Sequence, residues 1–423
     1  PPPPPPVSPA SVAPRAEAAT RRAGAAPKPT APPAEKKVVG GGAAAREEMT
    51  APVRQAGVRA GEWDDNANYR EFQKWLGTER HLAFHPVDVR DRHFLVVRDK
   101  NKKGVPRCAV TVRDEAQHAV VLTTTASGRA LLFPHAERLE GELVATARCQ
   151  GAERSVRFAA AGEDRVVDLE LGAARSAPAR TVDLGFVLDT TGSMSEEIQA
   201  VKATIQKVAT VLGGEGVQVK VGLVEYKDRV DPFVTRVYPM TDDLAKFSRQ
   251  VDQLSASGGG DYPESVNEGL HVALNRLDWG DGATVKMAVL VGDAPPHLDY
   301  QQDFDYAADM KDAAHRGIQV FTIAASGMDA LGQVVWRQIA QYTDATNLFV
   351  MRGGAGPQST GAGDPLASCG GTQTQYRSGN LDQLIVERVR RELRSVDADP
   401  MRIPGVGQDE NAKPCEKRIQ VAG

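Results

Sequence analysis

The sequence predicts an α/β protein with a doubly wound, mostly parallel sheet and helices on both faces. A small all-β sandwich and a disordered N-terminal tether precede it. Three observations lead there. From Thr181 to about residue 396, short apolar runs alternate with amphipathic helical patterns, the signature of parallel strands covered on both faces. Between residues 92 and 173, about seven short β-rich runs are separated by turn signals, which suits a small sandwich. Residues 1–60 hold 13 of the 27 prolines and almost no large apolar residue, so they bury too little surface to offset their ordering entropy.

Residues 1–60 read as a partly polyproline-II tether. Their nine Lys/Arg against four Asp/Glu suit a solvated spacer better than a contact with an anionic envelope polymer. Residues 61–91 read as a helix and linker. Asp64 or Asp65 is placed to cap the helix, and Tyr69, Phe72, Trp75 and Leu76 recur at helical spacing. In the β-rich segment the runs are His93–Arg98, Cys108–Arg113, Ala119–Thr123, Arg129–Phe133, Glu142–Arg148, Ser155–Ala159 and Arg165–Leu171.

The α/β segment spans 181–396. Val182–Leu188 reads as a buried strand. Ile198, Val201, Ile205, Val208 and Leu212 mark one face of the next helix, which Gly213 stops. Val217–Tyr226 is a second strand, with Phe233–Tyr238 returning antiparallel. Helices are expected near 242–254, 263–277, 304–316 and 331–342, and strands at Met287–Val291, Ile318–Ala324 and Asn347–Met351. Residues 352–379 hold eight glycines and read as a long irregular insertion. A closing helix at 381–396 is followed by a tail, 397–423.

A net charge of −4 in 423 residues and an aromatic content of 5% give no basis for a nucleic-acid partner. No apolar run reaches the roughly 18–20 residues of a membrane span. The first residue is Pro1 rather than Met, which points to a processed or truncated chain. Four cysteines permit the pairs Cys108–Cys149 and Cys369–Cys415, and four free thiols remain the alternative. The expected location is extracytoplasmic, periplasmic, surface-tethered or secreted, with the cytoplasm left open.

Ligands of open α/β sheets gather at the carboxyl ends of the strands, where three oxygen-rich loops fall. The first is Asp189-Thr190-Thr191-Gly192-Ser193. The second is Gly258-Gly259-Gly260-Asp261-Tyr262-Pro263-Glu264. The third is Gly292-Asp293-Ala294-Pro295-Pro296-His297. Carboxylates and hydroxyls from three loops suit a hard divalent cation, Mg²⁺ above Mn²⁺ or Ca²⁺. His297, beside two prolines, reads as a loop residue.

Two stretches resemble known families. Val-x-Asp-x-x-x-x-Gly-Val-Pro-x-x-x-Val-x-Val from Val97 to Val112, then Thr-x-x-x-Gly-Arg-Ala from Thr124 to Ala130, resembles bacterial carboxypeptidase-regulatory-like or transthyretin-like domains. That resemblance implies a spacer or interaction module. Asp-x-Thr-x-Ser after a buried strand, then Gly-Gly-Gly-Asp-x-Pro-Glu, then Gly-Asp-Ala-Pro-Pro-His, resembles the von Willebrand factor A domain over roughly 181–396. It implies a metal-ion-dependent adhesion site in which Asp189, Thr191 and Ser193 supply the first loop's ligands and Asp293 the last. Where many members of that family have a threonine, this chain has Asp-x-Pro-Glu, similar to the A-like domain of integrin β subunits. That likeness makes Glu264 a further ligand and implies that Asp261 and Asp228, which follows the second strand, hold a neighbouring cation. It also places Glu196 and Glu197 where flanking-metal acids lie, although acids in a first helical turn also suit the helix dipole.

The leading expectation is a protein that is not an enzyme. It would present a divalent cation to an exposed Asp or Glu of a protein partner. An accessory assembly subunit of an intracellular chelatase- or kinase-like machine is the first alternative. A metal-dependent hydrolase is last, since no general base is paired with an activated water; nor is a histidine placed as a base that would make Ser193 a nucleophile.

Overall fold

The computed structural model describes residues 58–325, 327–350 and 377–406. Most of the tether, most of the glycine-rich insertion, most of the tail, Cys369 and Cys415 lie outside the described residues. The chain opens with strand β1 (Arg59–Trp63) and helix α1 (Tyr69–Thr78). The β-rich segment follows as β2 (His93–Arg98), β3 (Ala109–Arg113), β4 (Ala119–Thr123), β5 (Arg129–Leu132), β6 (Glu142–Cys149), β7 (Ala152–Ala159) and β8 (Arg165–Glu170). Then come β9 (Thr181–Asp189), a 3-10 turn (Gly192–Glu196), α2 (Ile198–Gly213), β10 (Gln218–Tyr226), β11 (Thr235–Thr241), α3 (Leu244–Asp252) and α4 (Val266–Arg276). The last elements are β12 (Val285–Gly292), α5 (Tyr306–His315), β13 (Gln319–Ala324), α6 (Ala330–Tyr342), β14 (Asn347–Val350), β15 (Arg377–Asn380) and α7 (Leu381–Ser395). Among the described residues, no helix is long and apolar enough to cross a membrane.

The large sheet has the order β11-β10-β9-β12-β13-β14-β1-β15. Its centre, from β10 to β14, is parallel, with β11 and β1 antiparallel to their neighbours. This is the mostly parallel α/β sheet the sequence predicts. Side chains alternate across it. Phe186, Leu188, Val221, Val289 and Ile323 face Val201, Ile205 and Val208 of α2 and Leu384, Ile385 and Val389 of α7. Val187, Val224, Leu290 and Val320 face Leu270 and Leu274 of α4, Met310 of α5, and Val335 and Ile339 of α6.

The β-rich segment forms a three-stranded sheet, β5-β2-β8, and a four-stranded sheet, β4-β3-β6-β7. Leu95, Val97, Leu132, Val167 and Leu169 of the first share a core with Val110, Val112, Leu143 and Ala145 of the second. The other face of the three-stranded sheet is also covered: Phe94, Val96, Leu131 and Phe133 join the core beneath α5 and α6. Residues 92–173 therefore do not stand off as a spacer. The run His93-Phe94-Leu95-Val96-Val97 carries the reason, since a strand buried on both faces is apolar throughout instead of alternating. Polar contacts fasten the same join: Tyr342 Oη donates to Glu137 at 2.6 Å and Lys311 Nζ to the Ala136 carbonyl at 2.6 Å.

A disulfide joins Cys108 and Cys149 at the end of the β3–β6 pair, with Cα atoms 5.1 Å apart. The bridge spans 41 residues of sequence, a loop that chain entropy associates with about 4 kcal/mol. Reduction, or the Cys108→Ala/Cys149→Ala double substitution, is expected to lower the unfolding free energy by about 2–4 kcal/mol, read from urea unfolding with and without reductant. An unchanged midpoint would mean that other contacts already constrain that loop.

The tether expected through residue 60 ends earlier, because Arg59–Trp63 is a strand between β14 and β15. Glu62 is buried there. It accepts from Arg388 Nε at 2.5 Å and from Thr346 Oγ1 at 2.9 Å. Trp63 packs on Phe349 with ring centroids 4.4 Å apart. The helix expected to start from a cap at Asp64 or Asp65 begins at Tyr69, because residues 65–68 form a turn and Asp64 Oδ1 accepts from the Ala67 N–H at 2.9 Å.

Candidate functional site

Strands β9 and β12 are parallel neighbours, so Asp189, the last residue of one, and Asp293, just past the end of the other, emerge side by side. The loop 257–264, between α3 and α4, is laced to both. The Ser257 N–H donates to the Thr190 carbonyl at 3.0 Å, and the Gly192 N–H to the Gly258 carbonyl at 2.8 Å. On the other side the Glu264 N–H donates to the Pro295 carbonyl at 3.1 Å, and the His297 N–H to the Glu264 carbonyl at 3.1 Å. Lys227 Nζ donates to the carbonyls of Thr190 and Ser257, tying the first two loops again from beneath.

Asp189 Oδ1 accepts from the Thr191 N–H at 2.8 Å and from Thr191 Oγ1 at 2.7 Å. Thr191 Oγ1 lies 3.0 Å from Ser193 Oγ, which donates to Asp293 Oδ1 at 3.0 Å. Two glycines make the close approach possible. A Cβ on Gly259, whose φ is +77°, would meet Glu264 Oε1 and Thr191 Cβ at 3.0 Å. A Cβ on Gly292 would strike the Tyr226 hydroxyl at 2.4 Å and Asp189 Cβ at 3.3 Å. Asp189, Thr191, Glu264 and Asp293 are buried, while Ser193 is exposed and marks the solvent side.

The electrostatics are those of acids crowded away from water. Burial, then the charge of Asp293, pushes Asp189 up to about 7, against the pull of its hydrogen bonds from Thr191. Burial, then Asp189 and Asp228, pushes Glu264 up to about 8. Asp293 is raised chiefly by burial, with Glu197 adding repulsion and Ser193's hydrogen bond opposing. Asp189 Oδ2 and Glu264 Oε2 are buried oxygens without a hydrogen-bond partner. Unpaired buried acceptors are costly, and a cation satisfies them directly.

The structure thus brings together Asp189, Thr191, Ser193, Glu264 and Asp293. Asp261 and Asp228 are placed elsewhere, in a second cluster with His297 that forms a candidate metal-binding triad. Asp228 Oδ1 accepts from Ser265 Oγ at 3.0 Å and from Tyr300 Oη at 3.1 Å, and lies 3.5 Å from His297 Nε2. Glu196 is exposed at the end of the 3-10 turn, and Glu197 is buried at the start of α2. His297 is a loop residue, as expected, but a buried one: it is 2% exposed and stacked on Tyr300 at 3.8 Å. Nothing in the sequence marks Asp231 either. Its Oδ2 accepts from the N–H groups of Asp228 at 3.1 Å and Gly259 at 2.9 Å, shaping both clusters. The acids and tyrosine around His297 form a local signal only in hindsight, because they come from three separate loops.

The family model for the von Willebrand factor A domain matches residues 183–281, which include Asp189, Thr191, Ser193 and Glu264, with Asp293 beyond its end. An ariadne-like RING finger protein of Acanthamoeba polyphaga mimivirus is 34% identical over 119 residues, covering 27% of this chain and 11% of that protein. The alpha-protein kinase vwkA of Dictyostelium discoideum is 31% identical over 120 residues, covering 27% of this chain and 19% of the kinase. The von Willebrand factor A domain-containing protein 7 of Rattus norvegicus is 33% identical over 141 residues, covering 33% and 14% respectively. The chain thus spans only 11% to 19% of these relatives' lengths.

These relatives correct one expectation. The reading of the chain as not an enzyme does not stand beside a kinase and a RING finger protein among its partial-length, low-identity relatives. The lack of a histidine base for Ser193 concerns one loop and not the protein as a whole. What the match carries is the domain itself, which serves protein interaction and commonly binds a divalent cation: a von Willebrand factor A domain is found at residues 183–281.

Proposed function

We propose that the chain is a metal-dependent protein-binding module in which Asp189, Thr191, Ser193, Glu264 and Asp293 hold a divalent cation. The observation that carries this reading is the pair of partnerless buried oxygens, Asp189 Oδ2 and Glu264 Oε2, in a pocket of three carboxylates and two hydroxyls. An all-oxygen donor set favours a hard cation, Mg²⁺ first and Mn²⁺ or Ca²⁺ next. When bound, it supplies an unfilled coordination position for a carboxylate oxygen. The exposed Ser193 side is where an Asp or Glu of a protein partner enters. Tyr262 and Val230, both exposed large side chains on neighbouring loops, offer apolar contact beside that acid. The Cys108–Cys149 disulfide supports an extracytoplasmic setting, since such bonds persist in oxidising compartments.

The test is affinity capture from the source organism with the intact chain and Asp189→Ala, each in Mg²⁺ and in chelator. The expected result is a partner retained by the intact chain in Mg²⁺ and lost in the other three conditions. A partner held equally in all four overturns the reading.

A further inference from the structure

The acids of the site above follow the carboxyl ends of β9 and β12. At the opposite, amino ends of β12 and β13, a cavity of about 310 Å³ lies between the large sheet and the β-rich segment. Its walls include Arg107 and Thr123 of the β-rich segment, Trp279, Asp281 and Lys286 where the chain enters β12, and Arg316 just before β13. Arg107 Nη1 donates to the Asp281 carbonyl at 3.0 Å, joining the two walls. Three cations thus line the cavity beside one carboxylate. Lys286 is half-buried, and among the described residues its ammonium has no hydrogen bond and no ion pair. Burial holds that ammonium below its ordinary value against the pull of Asp281 and Asp183, and Arg316 and Arg107 add repulsion. Arg316 has a partner in Asp312 at 2.9 Å, but a partly exposed i,i+4 pair is weak and leaves the guanidinium other N–H donors. A half-buried ammonium beside two guanidiniums is costly, and an anion in the cavity offsets that cost.

We propose that this cavity binds the phosphate or sulfate group of a small ligand. Three cations less one carboxylate leave two positive charges, the match for sulfate or for a phosphate group of charge about −1.5 to −2 at neutral pH. A single carboxylate would leave one of them uncompensated. Arginine's planar fork grips two oxygens of such a group, and lysine adds a point charge. The Thr123 hydroxyl, which makes no hydrogen bond among the described residues, is a further donor. The volume is that of a small ligand pocket, and the cations sit in a cavity rather than along a stripe, so a small molecule fits where a polyanion does not. The bound group ties Arg107 and Thr123 to Lys286 and Arg316, and so the β-rich segment to the large sheet. The site lies at the far edge from the acid loops and does not rest on the metal-binding reading of them.

The test titrates the full chain with sodium phosphate, sodium sulfate and glucose 6-phosphate. Ionic strength is held constant with chloride, and chelator keeps divalent cations out. Calorimetry gives the stoichiometry, and tryptophan emission reports on Trp279 in the wall. Saturable binding of one equivalent is expected. Lys286→Gln and Arg107→Gln should each weaken it about 10–100-fold, the scale of a lost charge-assisted hydrogen bond. Arg107 is exposed, so its variant decides the matter even where Lys286→Gln fails to fold. Asp281→Asn should tighten binding by removing the one carboxylate in the wall, a gain that a damaged fold cannot produce. Glucose 6-phosphate bound more tightly than phosphate assigns the site to an ester, and equal binding assigns it to the free anion; both support the proposal. An intact chain that binds none of the three at millimolar concentration overturns it, as does affinity unchanged in both Lys286→Gln and Arg107→Gln.

Discussion

Asp189→Asn is expected to raise the unfolding temperature of the cation-free protein and to abolish the stabilisation that Mg²⁺ gives the intact chain. The first half follows from repulsion. Asp189 titrates near 7 in the fold, against an ordinary value of 3.8. A carboxyl with a raised folded value favours the fold fully below its unfolded value, and that contribution is lost as pH rises through the folded one. For Asp189 and for Glu264, raised to about 8, the loss falls between about pH 4 and pH 8. At about 1.4 kcal/mol per tenfold change in proton affinity, the buried Asp189 charge costs the cation-free fold on the order of 4 kcal/mol at neutral pH. Asparagine removes that charge and still accepts from Thr191. The second half follows from mass action: a ligand at a hundred times its Kd stabilises by about 2.7 kcal/mol, which a variant lacking the Asp189 carboxylate forfeits. The Mg²⁺-induced shift in the intact chain should also grow from about pH 5 to about pH 8, as protons leave the ligand oxygens. Thermal unfolding at three pH values, with and without Mg²⁺, checks both halves. A Mg²⁺ shift that persists in Asp189→Asn, or one independent of pH, would refute the ligand assignment.

Arg388→Met should cost about 3–5 kcal/mol of unfolding free energy, the usual consequence of stranding a buried charge. Glu62 is 1% exposed and its main partner is Arg388, with Arg377 more distant at 3.8 Å. Burial alone would raise the Glu62 carboxyl, but the charges of Arg388 and Arg377 and the hydrogen bonds from Arg388 and Thr346 outweigh it and hold the group below its ordinary value. Its contribution is therefore present above the unfolded value of 4.5 and is lost as pH falls through the lower folded value. Glu62→Gln/Arg388→Met should recover much of the loss, because a neutral amide tolerates the site better than an unpaired carboxylate. Urea unfolding of the single and double variants decides this. A double variant no better than the single one would place the cost in lost packing of Arg388 rather than in the stranded charge.

The main elements of the α/β sheet were legible because the chain writes them locally. Val182–Leu188 and Met287–Val291 are apolar runs ended by acids, and the structure finds strands at Thr181–Asp189 and Val285–Gly292. The first-loop and third-loop acids were legible for the same reason, since an acid directly after a buried strand must sit at the sheet's carboxyl edge. Strands β1 and β15 were not. Arg59-Ala-Gly-Glu-Trp63 and Arg377-Ser-Gly-Asn380 have no β-rich pattern, and they pair because β14 offers an edge and Arg388 accommodates Glu62. The roles of His297 and Lys227 were hidden for a related reason. A single histidine or lysine carries no periodicity, and its meaning depends on loops about 30 to 70 residues away, as between His297 and Asp228 or Lys227 and Ser257.

Strand β1 also constrains how the molecule is made. Ala60 pairs with Val350, some 290 residues later in the chain. At about 5–20 residues per second, a ribosome would hold β1 without its partner for roughly 15–60 seconds. During that interval Glu62 and Trp63 have no buried place to go, and the large sheet cannot close beyond β14. Contacts of such long sequence separation slow folding and leave unpaired strand edges open to association. A recombinant fragment cut at residue 181 would keep that gap permanently. It would lack the strand that joins β14 to β15, so expression boundaries for this domain belong upstream of Arg59 rather than at the first strand of the von Willebrand factor A match.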